Sequence, residues 1–194
     1  TIKNVQNMEQ QRREAEILRS RQQTEDMYLQ MIQTLAATVE AKDAYTRGHS
    51  LRVAEYAAQL AGELGWTDTD INNLKKAVTL HDIGKIGIPD QIWNKPTKLT
   101  DDEYALVMEH TVIGAEILHD IKWIDHLAEI VRSHHERYDG SGYPDGLVGE
   151  EIPIHARITA IADSYDAMNT RHLYRNSLSP EAIREEFLKN RGRQ

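Results

Sequence analysis

The run Ile71-Asn72-Asn73-Leu74-Lys75-Lys76-Ala77-Val78-Thr79-Leu80-His81-Asp82-Ile83-Gly84-Lys85 decides how this chain is read. Ile71, Leu74, Ala77, Val78 and Leu80 recur at the three- and four-residue spacing of one helix face. Thr67 to Asp70 starts that helix, and Gly84, Gly87 and Pro89 keep it from continuing past Lys85. His81 and Asp82 therefore fall side by side at a helix C-terminus. An imidazole nitrogen and a carboxylate oxygen are both good ligands for a divalent transition metal, and a carboxylate has two oxygens with which to bridge two ions. Alone, such a pair is usually a buried histidine bonded to its neighbour. Here it has company: His49 lies upstream, and His110, the pair His134-His135 and Asp163 lie downstream. The order His, His-Asp, His, His-His, Asp, at helix ends and loop edges, is the signal.

Composition sets the outer bounds. The 194 residues suffice for one globular domain plus an extension. A net charge of −8 argues against binding nucleic acid through bulk charge. It does not exclude a phosphate-bearing substrate, because bound metals and a few local cations reverse the sign inside a pocket. There is no cysteine, hence no disulfide and no thiolate metal site. No apolar run reaches the roughly 20 residues that cross a bilayer, and no stretch reads as a signal peptide. The start at Thr1 is expected to mark a fragment of a longer protein.

Working outward, residues 1 to about 40 are rich in Gln, Glu and Arg and free of Gly and Pro, which favours helix. Val5, Met8, Ala15, Leu18, Leu29, Ile32, Ala36 and Val39 form a stripe that lapses at Gln22 and Glu25. It reads as a weak coiled coil, a signalling helix from an upstream sensor or receiver domain that also pairs two copies, or else as a solvated helix packed on its own domain. The domain proper is expected over 41–194. Its next helix carries Val53, Ala54, Ala57, Leu60 and Ala61, with Ser50 as the expected cap and Gly65 as the stop. Thr100-Asp101-Asp102-Glu103 is a capping box. It opens a helix that runs through Val107, His110, Val112 and Leu118. Another covers about 123–136 and ends at His134-His135. A turn-rich loop comes next, with Gly140, Gly142, Pro144 and Gly146. Pro153 then begins a helix carrying Asp163, and Ser179-Pro180 starts the last one. No strand pattern is convincing, so the class is all-α.

The chemistry follows from the donor set. Histidines hold Fe, Mn, Ni or Zn, and Asp82 is the natural bridge. Two ions about 3.5–4 Å apart can hold a hydroxide between them and brace the oxygens of a phosphodiester during in-line attack. No nucleophilic Ser-His-Asp or Cys-His arrangement is needed, and Gly140, Gly142 and Gly146 do not match the phosphate-binding GxxxxGK[ST] loop.

The chain resembles an HD-GYP domain, a subgroup of the HD metal-dependent phosphohydrolases. The matching residues are Lys42-Asp43-x-Tyr45-Thr46-x-Gly48-His49-Ser50, then His81-Asp82-Ile83-Gly84-Lys85-Ile86-Gly87-Ile88-Pro89, Asn94-Lys95-Pro96, His110 and Ile113-Gly114. The signature is His134-His135-Glu136-Arg137 through Asp139-Gly140-x-Gly142-Tyr143-Pro144. Ile161-Ala162-Asp163-x-Tyr165-Asp166-Ala167 completes it. The resemblance implies an HD-domain helical bundle. One metal would be held by His49, His81, Asp82 and Asp163, and a second by Asp82, His110, His134 and His135, with iron or manganese as the metals. Lys85 would lie beside the hydroxide and phosphate and stabilise developing charge or assist protonation, and Tyr143 would shape the substrate pocket. The family's reaction is hydrolysis of cyclic di-GMP to pGpG and on to GMP. The alternatives are a phosphohydrolase for another cyclic dinucleotide or nucleotide, and a non-catalytic signalling module. A GGDEF-domain partner, a cytoplasmic location and a homodimer through the N-terminal helix belong to the same expectation. A third metal in some members uses a Glu where this chain has Tyr45, so two metals are expected.

One segment departs from the family pattern. Where members commonly read Thr-Ser-Asp-Arg-Pro-Tyr-Arg, this chain has Asn169-Thr170-Arg171-His172-Leu173-Tyr174-Arg175. The phosphate-gripping arginine falls on His172, a poorer phosphate ligand than a bidentate guanidinium. Arg171 is the candidate replacement, and Arg175 and Tyr174 are kept. Gly192-Arg193-Gln194 looks like the approach to one more short helix, so a truncated C-terminus is expected. His119, His126 and His155 have no place in the ligand order, and Trp66, Trp93 and Trp123 read as packing residues. Glu136 reads equally as an orienting group for a ligand or as a surface ion-pair partner.

Overall fold

The structure, a computed structural model, describes residues 2–42, 47–119, 125–170 and 177–194; the side chains of residues 2–6, 125 and 126 are outside the description. Among the described residues the regular elements are all helical: α1 (Ile2–Glu40), α2 (His49–Glu63), α3 (Asp68–Thr79), a 3-10 turn (Ile83–Gly87), α4 (Asp90–Trp93), α5 (Asp101–Met108), α6 (His110–His119), α7 (Asp125–Ser133), a second 3-10 turn (Gly149–Glu151), α8 (Ile154–Asn169) and α9 (Pro180–Lys189). The extended pairing described is an isolated antiparallel bridge between Asp139 and Val148.

Local chemistry accounts for several of the boundaries. The Thr67 side chain accepts from Asp70 N–H at the head of α3. Thr100 and Glu103 form the capping box of α5. Ser179 caps α9 with Pro180 in the first turn. Gly65, at φ +79°, turns the chain out of α2 in a left-handed conformation that L side chains resist.

Two boundaries differ from expectation. Ser50 lies inside α2, where it is buried, and the helix begins at His49 after Gly48. The cap comes from α1: the Glu40 carboxylate accepts from the N–H of Gly48 at 2.6 Å and of Ser50 at 2.7 Å. A carboxylate there also complements the helix dipole. The helix expected to run from Asp101 through Leu118 is broken at Glu109, so His110 heads a new helix.

Two buried clusters hold the bundle together. The first joins Val53, Ala54, Ala57 and Ala61 of α2 to Leu74, Ala77 and Val78 of α3, Leu127 and Ile130 of α7, and Ile158 and Ala162 of α8. The alanine face of α2 lets both neighbours approach closely. The second joins Ile32 and Val39 of α1 to Leu80, Ile83, Leu118 and Val131. Residues 78–83 therefore cross from one core to the other, and His81-Asp82 sit at the crossing. Ile32, Ala36 and Val39 are buried, so the last turns of α1 are built into the domain. Met8, Ile17, Leu18, Met27, Met31 and Leu35 remain exposed along it.

Candidate metal centre

Gly84 sets the geometry of the centre. A Cβ there would lie 1.8 Å from the His110 carbonyl oxygen and 2.5 Å from Gly114 N. Only a glycine lets the turn after Asp82 press its backbone onto the first turn of α6, which brings His81-Asp82 against His110. The short helix α7 delivers His134 and His135 just beyond its C-terminus at Ser133, and α8 and the first residue of α2 deliver Asp163 and His49.

All seven expected ligand positions meet in one cluster. Donor atoms of His110, His134 and His135 lie within 4.8 Å of one another, as do those of His49, His81 and Asp163, and those of His81, Asp82 and His134. His81 and His134 belong to overlapping sets, and the Asp82 carboxylate faces both His81 Nε2 at 3.3 Å and His110 Nε2 at 3.6 Å.

The hydrogen bonds decide which imidazole nitrogen points inward. Nδ1 of His81, His110 and His134 each donates to the carbonyl three residues back, Val78, Val107 and Val131, at 2.7 Å. A carbonyl only accepts, so the proton of each neutral ring is on Nδ1 and Nε2 carries a bare lone pair. Burial, reinforced by neighbouring imidazoles, holds His110 and His134 below the ordinary histidine value, and burial with His110 brings His135 down to about 4. Yet His110 Nε2 and His134 Nε2 lie 3.4 Å apart. Two lone pairs at that distance, both facing a carboxylate, repel one another. A cation between them turns the same arrangement into ligation, so the residues fit a divalent transition metal.

His49 is held differently. Its Nε2 faces Asp163 at 3.2 Å and its Nδ1 donates to Asp166 Oδ2 at 2.8 Å. Burial opposes a charge on this ring, but the two carboxylates prevail and raise it to about 10. Asp166 is fully buried and is clamped by Arg52, Nε at 2.7 Å and Nη2 at 3.0 Å. Against the burial cost, His49 and Arg52 bring Asp166 down to about 2. Burial likewise opposes ionisation of Asp82, but Lys85 and the imidazoles keep its carboxyl well below the usual range. Lys85 Nζ donates to Asp82 Oδ2 and lies 4.4 Å from the centroid of the Trp93 ring, a cation–π contact.

The loop after His135 is tied to the ligands. Tyr143 N–H donates to the His135 carbonyl at 3.2 Å, and the two rings lie 4.9 Å apart. Burial pushes the Tyr143 hydroxyl up, so it stays a donor. A Cβ on Gly142 would fall 2.2 Å from Arg137 N, so the loop folds back on its own start. Among the described residues Glu136 orients no ligand and makes no surface ion pair. It is 4% exposed and accepts from the backbone N–H of Asp145, Gly146 and Leu147 at 2.7, 3.1 and 3.0 Å. Arg132 grips Asp145 with two bonds of 2.7 Å on the outside.

Sequence reasoning left Asp166 and Arg52 without a role. The available signal was their spacing, three residues after Asp163 and after His49, which puts each on the same helix face as a ligand. Trp93 packs, as expected, but over the Lys85 ammonium, and Trp66 packs on His155 at 4.7 Å. Arg171, His172, Tyr174, Arg175, Tyr45, Trp123 and the His126 side chain lie outside the described residues.

Comparison with known proteins gives a consistent picture. A family model described as HD domain matches residues 15–191. A 3'3'-cGAMP-specific phosphodiesterase of Vibrio cholerae is 42% identical over 166 residues, covering 84% of this chain and 32% of the relative. The cyclic di-GMP phosphodiesterase response regulator RpfG of Xanthomonas campestris is 39% identical over 182 residues, covering 93% of this chain and 48% of the relative. The chain thus spans a third to a half of the curated relatives it matches. A crystal structure of a cyclic GMP-AMP specific phosphodiesterase of V. cholerae superposes with a TM-score of 0.66 at 18% identity, over 84% of this chain and 44% of that one, a likeness of fold.

Proposed function

The chain belongs to the HD domain family, and on that premise we propose that it is a metal-dependent phosphodiesterase that hydrolyses cyclic di-GMP to pGpG and on to GMP. The observation that carries this is the convergence of the bare Nε2 atoms of His81, His110 and His134 on the Asp82 carboxylate, with Lys85 donating to that same carboxylate. The names of the relatives support the substrate class.

His49, His81, Asp82 and Asp163 would hold one ion, and Asp82, His110, His134 and His135 a second, with iron or manganese as the metals. Bound there, the ions would supply acidity to a water nucleophile and positive charge to the phosphoryl oxygens. The chain's own groups do the rest. Asp166 fixes the ring plane of His49 and keeps its proton on Nδ1. The three valine carbonyls do the same for His81, His110 and His134. Lys85, steadied by Trp93, offers a proton and a charge beside the Asp82 carboxylate, where negative charge grows on the phosphodiester. Tyr143 closes one wall of the site and presents its hydroxyl. We carry forward a second substrate, cyclic GMP-AMP, because a 42% identical relative is named for it. The output role behind a sensor or receiver domain, pairing of two copies through α1, a GGDEF-domain partner and a cytoplasmic setting complete the reading.

The test pairs metal counting with hydrolysis. Protein purified anaerobically with iron or manganese is analysed for metal per chain, then incubated with cyclic di-GMP and with cyclic GMP-AMP beside an Asp82→Ala control. Two ions per chain and a linear or mononucleotide product, both lost in the variant, establish the reading. Two ions without turnover of either substrate overturn the proposed substrate class, and no bound metal overturns the mechanism.

A further inference from the structure

Against the imidazole cluster stand residues that the metal chemistry does not use, Arg137 and Ser141 among them. A cleft of about 270 Å³ opens against His135 and Asp163 and is lined by Tyr104, Arg137, Ser141 and Tyr143. That is at the low edge of the roughly 300–1,000 Å³ typical of small-molecule sites and has room for a single base. We propose that this cleft is a guanine-selective base subsite, with Arg137 reading the base edge and a tyrosine ring stacking on its face.

Three observations carry this. First, the guanidinium is oriented by the loop itself. Arg137 Nε donates to Ser141 Oγ at 3.0 Å, and Ser141 Oγ in turn donates to Asp139 Oδ1 at 2.5 Å. The Gly142 backbone packs against Arg137 N where any Cβ would clash. A guanidinium held at Nε has a fixed plane, and its terminal nitrogens form a rigid pair of donors. Second, two aromatic rings line the same cleft as Arg137. Tyr104 and Tyr143 stand 6.4 Å apart at an interplanar angle of 81°, Tyr143 next to His135 and Tyr104 half exposed at the mouth. Rings at right angles cannot both stack on one base, so one covers its face and the other bounds its edge. Third, the cleft shares His134, His135 and Asp163 with the ligand cluster, while Asp82 and Lys85 are not among its walls. A phosphate at the metals and a base in the cleft are then neighbouring parts of one nucleotide.

The donor pattern selects the base. Guanine presents O6 and N7, two acceptors side by side, to a bidentate guanidinium. Adenine puts its N6 amino group, a donor, opposite one of the same nitrogens. An aromatic face beside a planar cation is the usual platform for an unstacked base, whereas a phosphate needs no ring. The identity of the ligand rests on the phosphodiesterase reading above, but the subsite is tested without turnover.

The experiment is equilibrium binding of 5'-GMP and 5'-AMP to the metal-loaded protein and to its Arg137→Ala and Arg137→Gln variants, with metal content measured in each. The expected result is GMP binding at least about tenfold tighter than AMP, a ratio that collapses toward one in Arg137→Ala and shifts toward AMP in Arg137→Gln, whose amide pairs with adenine N6 and N7. Wild-type protein that does not distinguish the two nucleotides overturns the subsite even if it cleaves cyclic di-GMP. Equal loss of both in Arg137→Ala also overturns it, because that is the pattern of a phosphate contact or of a disturbed loop. GMP selectivity dependent on Arg137 in a protein that cleaves no cyclic dinucleotide leaves the subsite standing and removes the phosphodiesterase reading alone.

Discussion

His49 Nδ1 donates to Asp166 Oδ2 at 2.8 Å, and through that bond a buried carboxylate decides which nitrogen of the first histidine faces Asp163. Asp166 is held by Arg52 on its other side, so ring, carboxylate and guanidinium form one rigid relay from α2 to α8 and back.

Asp166→Asn keeps the shape and removes the charge. It weakens the imidazole as a ligand and leaves Arg52 without its anion. The expected loss of metal affinity is about 10–100-fold, the usual effect of removing a carboxylate behind a ligating histidine. Competition with a chromophoric chelator measures it. Unchanged affinity would show that Asp166 serves the fold alone.

Metal uptake depends on pH through the same ring. With its proton held to about 10, His49 is charged at neutral pH in the metal-free protein, while His110, His134 and His135 are already neutral. Loading the site with His49 as a ligand therefore expels about one proton per chain at pH 7, and apparent affinity rises about tenfold per pH unit until His49 titrates. Calorimetry in buffers of different ionisation enthalpy counts the proton. The stability consequence has a definite sign. A pKa raised above the ordinary 6.5 contributes stability that is complete below pH 6.5 and is lost as pH rises through about 10. Thermal melts of metal-free protein should decline across that window.

Two glycines should respond oppositely to alanine. Gly84→Ala drives a methyl into the His110 carbonyl and Gly114 N. It should cost about 1–3 kcal/mol or more and displace His81-Asp82 from His110, lowering both Tm and metal content. Gly62→Ala, in α2 with its nearest outside atom at 3.9 Å, should stabilise by about 0.5–1 kcal/mol. Denaturant melts of the two variants check the signs.

Truncation locates the part of α1 that the domain needs. Removing residues 1–24 takes away exposed helix and should leave Tm nearly unchanged. Removing residues 1–41 also deletes the buried Ile32, Ala36 and Val39 and the Glu40 carboxylate that caps α2. Each buried side chain contributes about 1.5–3 kcal/mol for the larger residues, so the shorter chain should unfold or aggregate. A cooperative melt at the parental temperature would refute this.

The exposed side chains Ile17, Leu18, Met27, Met31 and Leu35 give α1 an apolar surface that the described residues leave uncovered. Sedimentation at varied concentration should show a dimer that the 1–24 deletion weakens. A strict monomer with the whole of α1 present rules out pairing through this helix.

Lys42 illustrates what spacing alone does not reveal. Its Nζ donates to the carbonyls of Lys85 at 3.2 Å and Ile88 at 2.9 Å and pairs with Asp90 at 3.0 Å. The residue just after α1 thereby ties that helix to the turn carrying Lys85, across a sequence separation that no local pattern spans. Glu136 is a second case. Next to two histidines it reads as their helper, but its carboxylate is turned toward three backbone N–H groups nine to eleven residues later.

Most of the helices, the helix start at Thr67, the caps at Thr100 and Ser179, and the order of histidines and aspartates were legible in the sequence; α4, in a stretch that reads as an irregular link, was not. They depend on short-range facts: apolar period, side-chain caps within three residues, and ligand chemistry that each residue carries with it. The tertiary structure alone decided the break at Glu109 that puts His110 at a helix start, the close approach at Gly84 that brings it to Asp82, and the capping of α2 by Glu40. It also decided which imidazole nitrogen faces the centre. Those depend on which backbone carbonyl, carboxylate or N–H lies nearby once distant helices have packed, and a lone pair is aimed by its partner in space rather than by its neighbour in the chain.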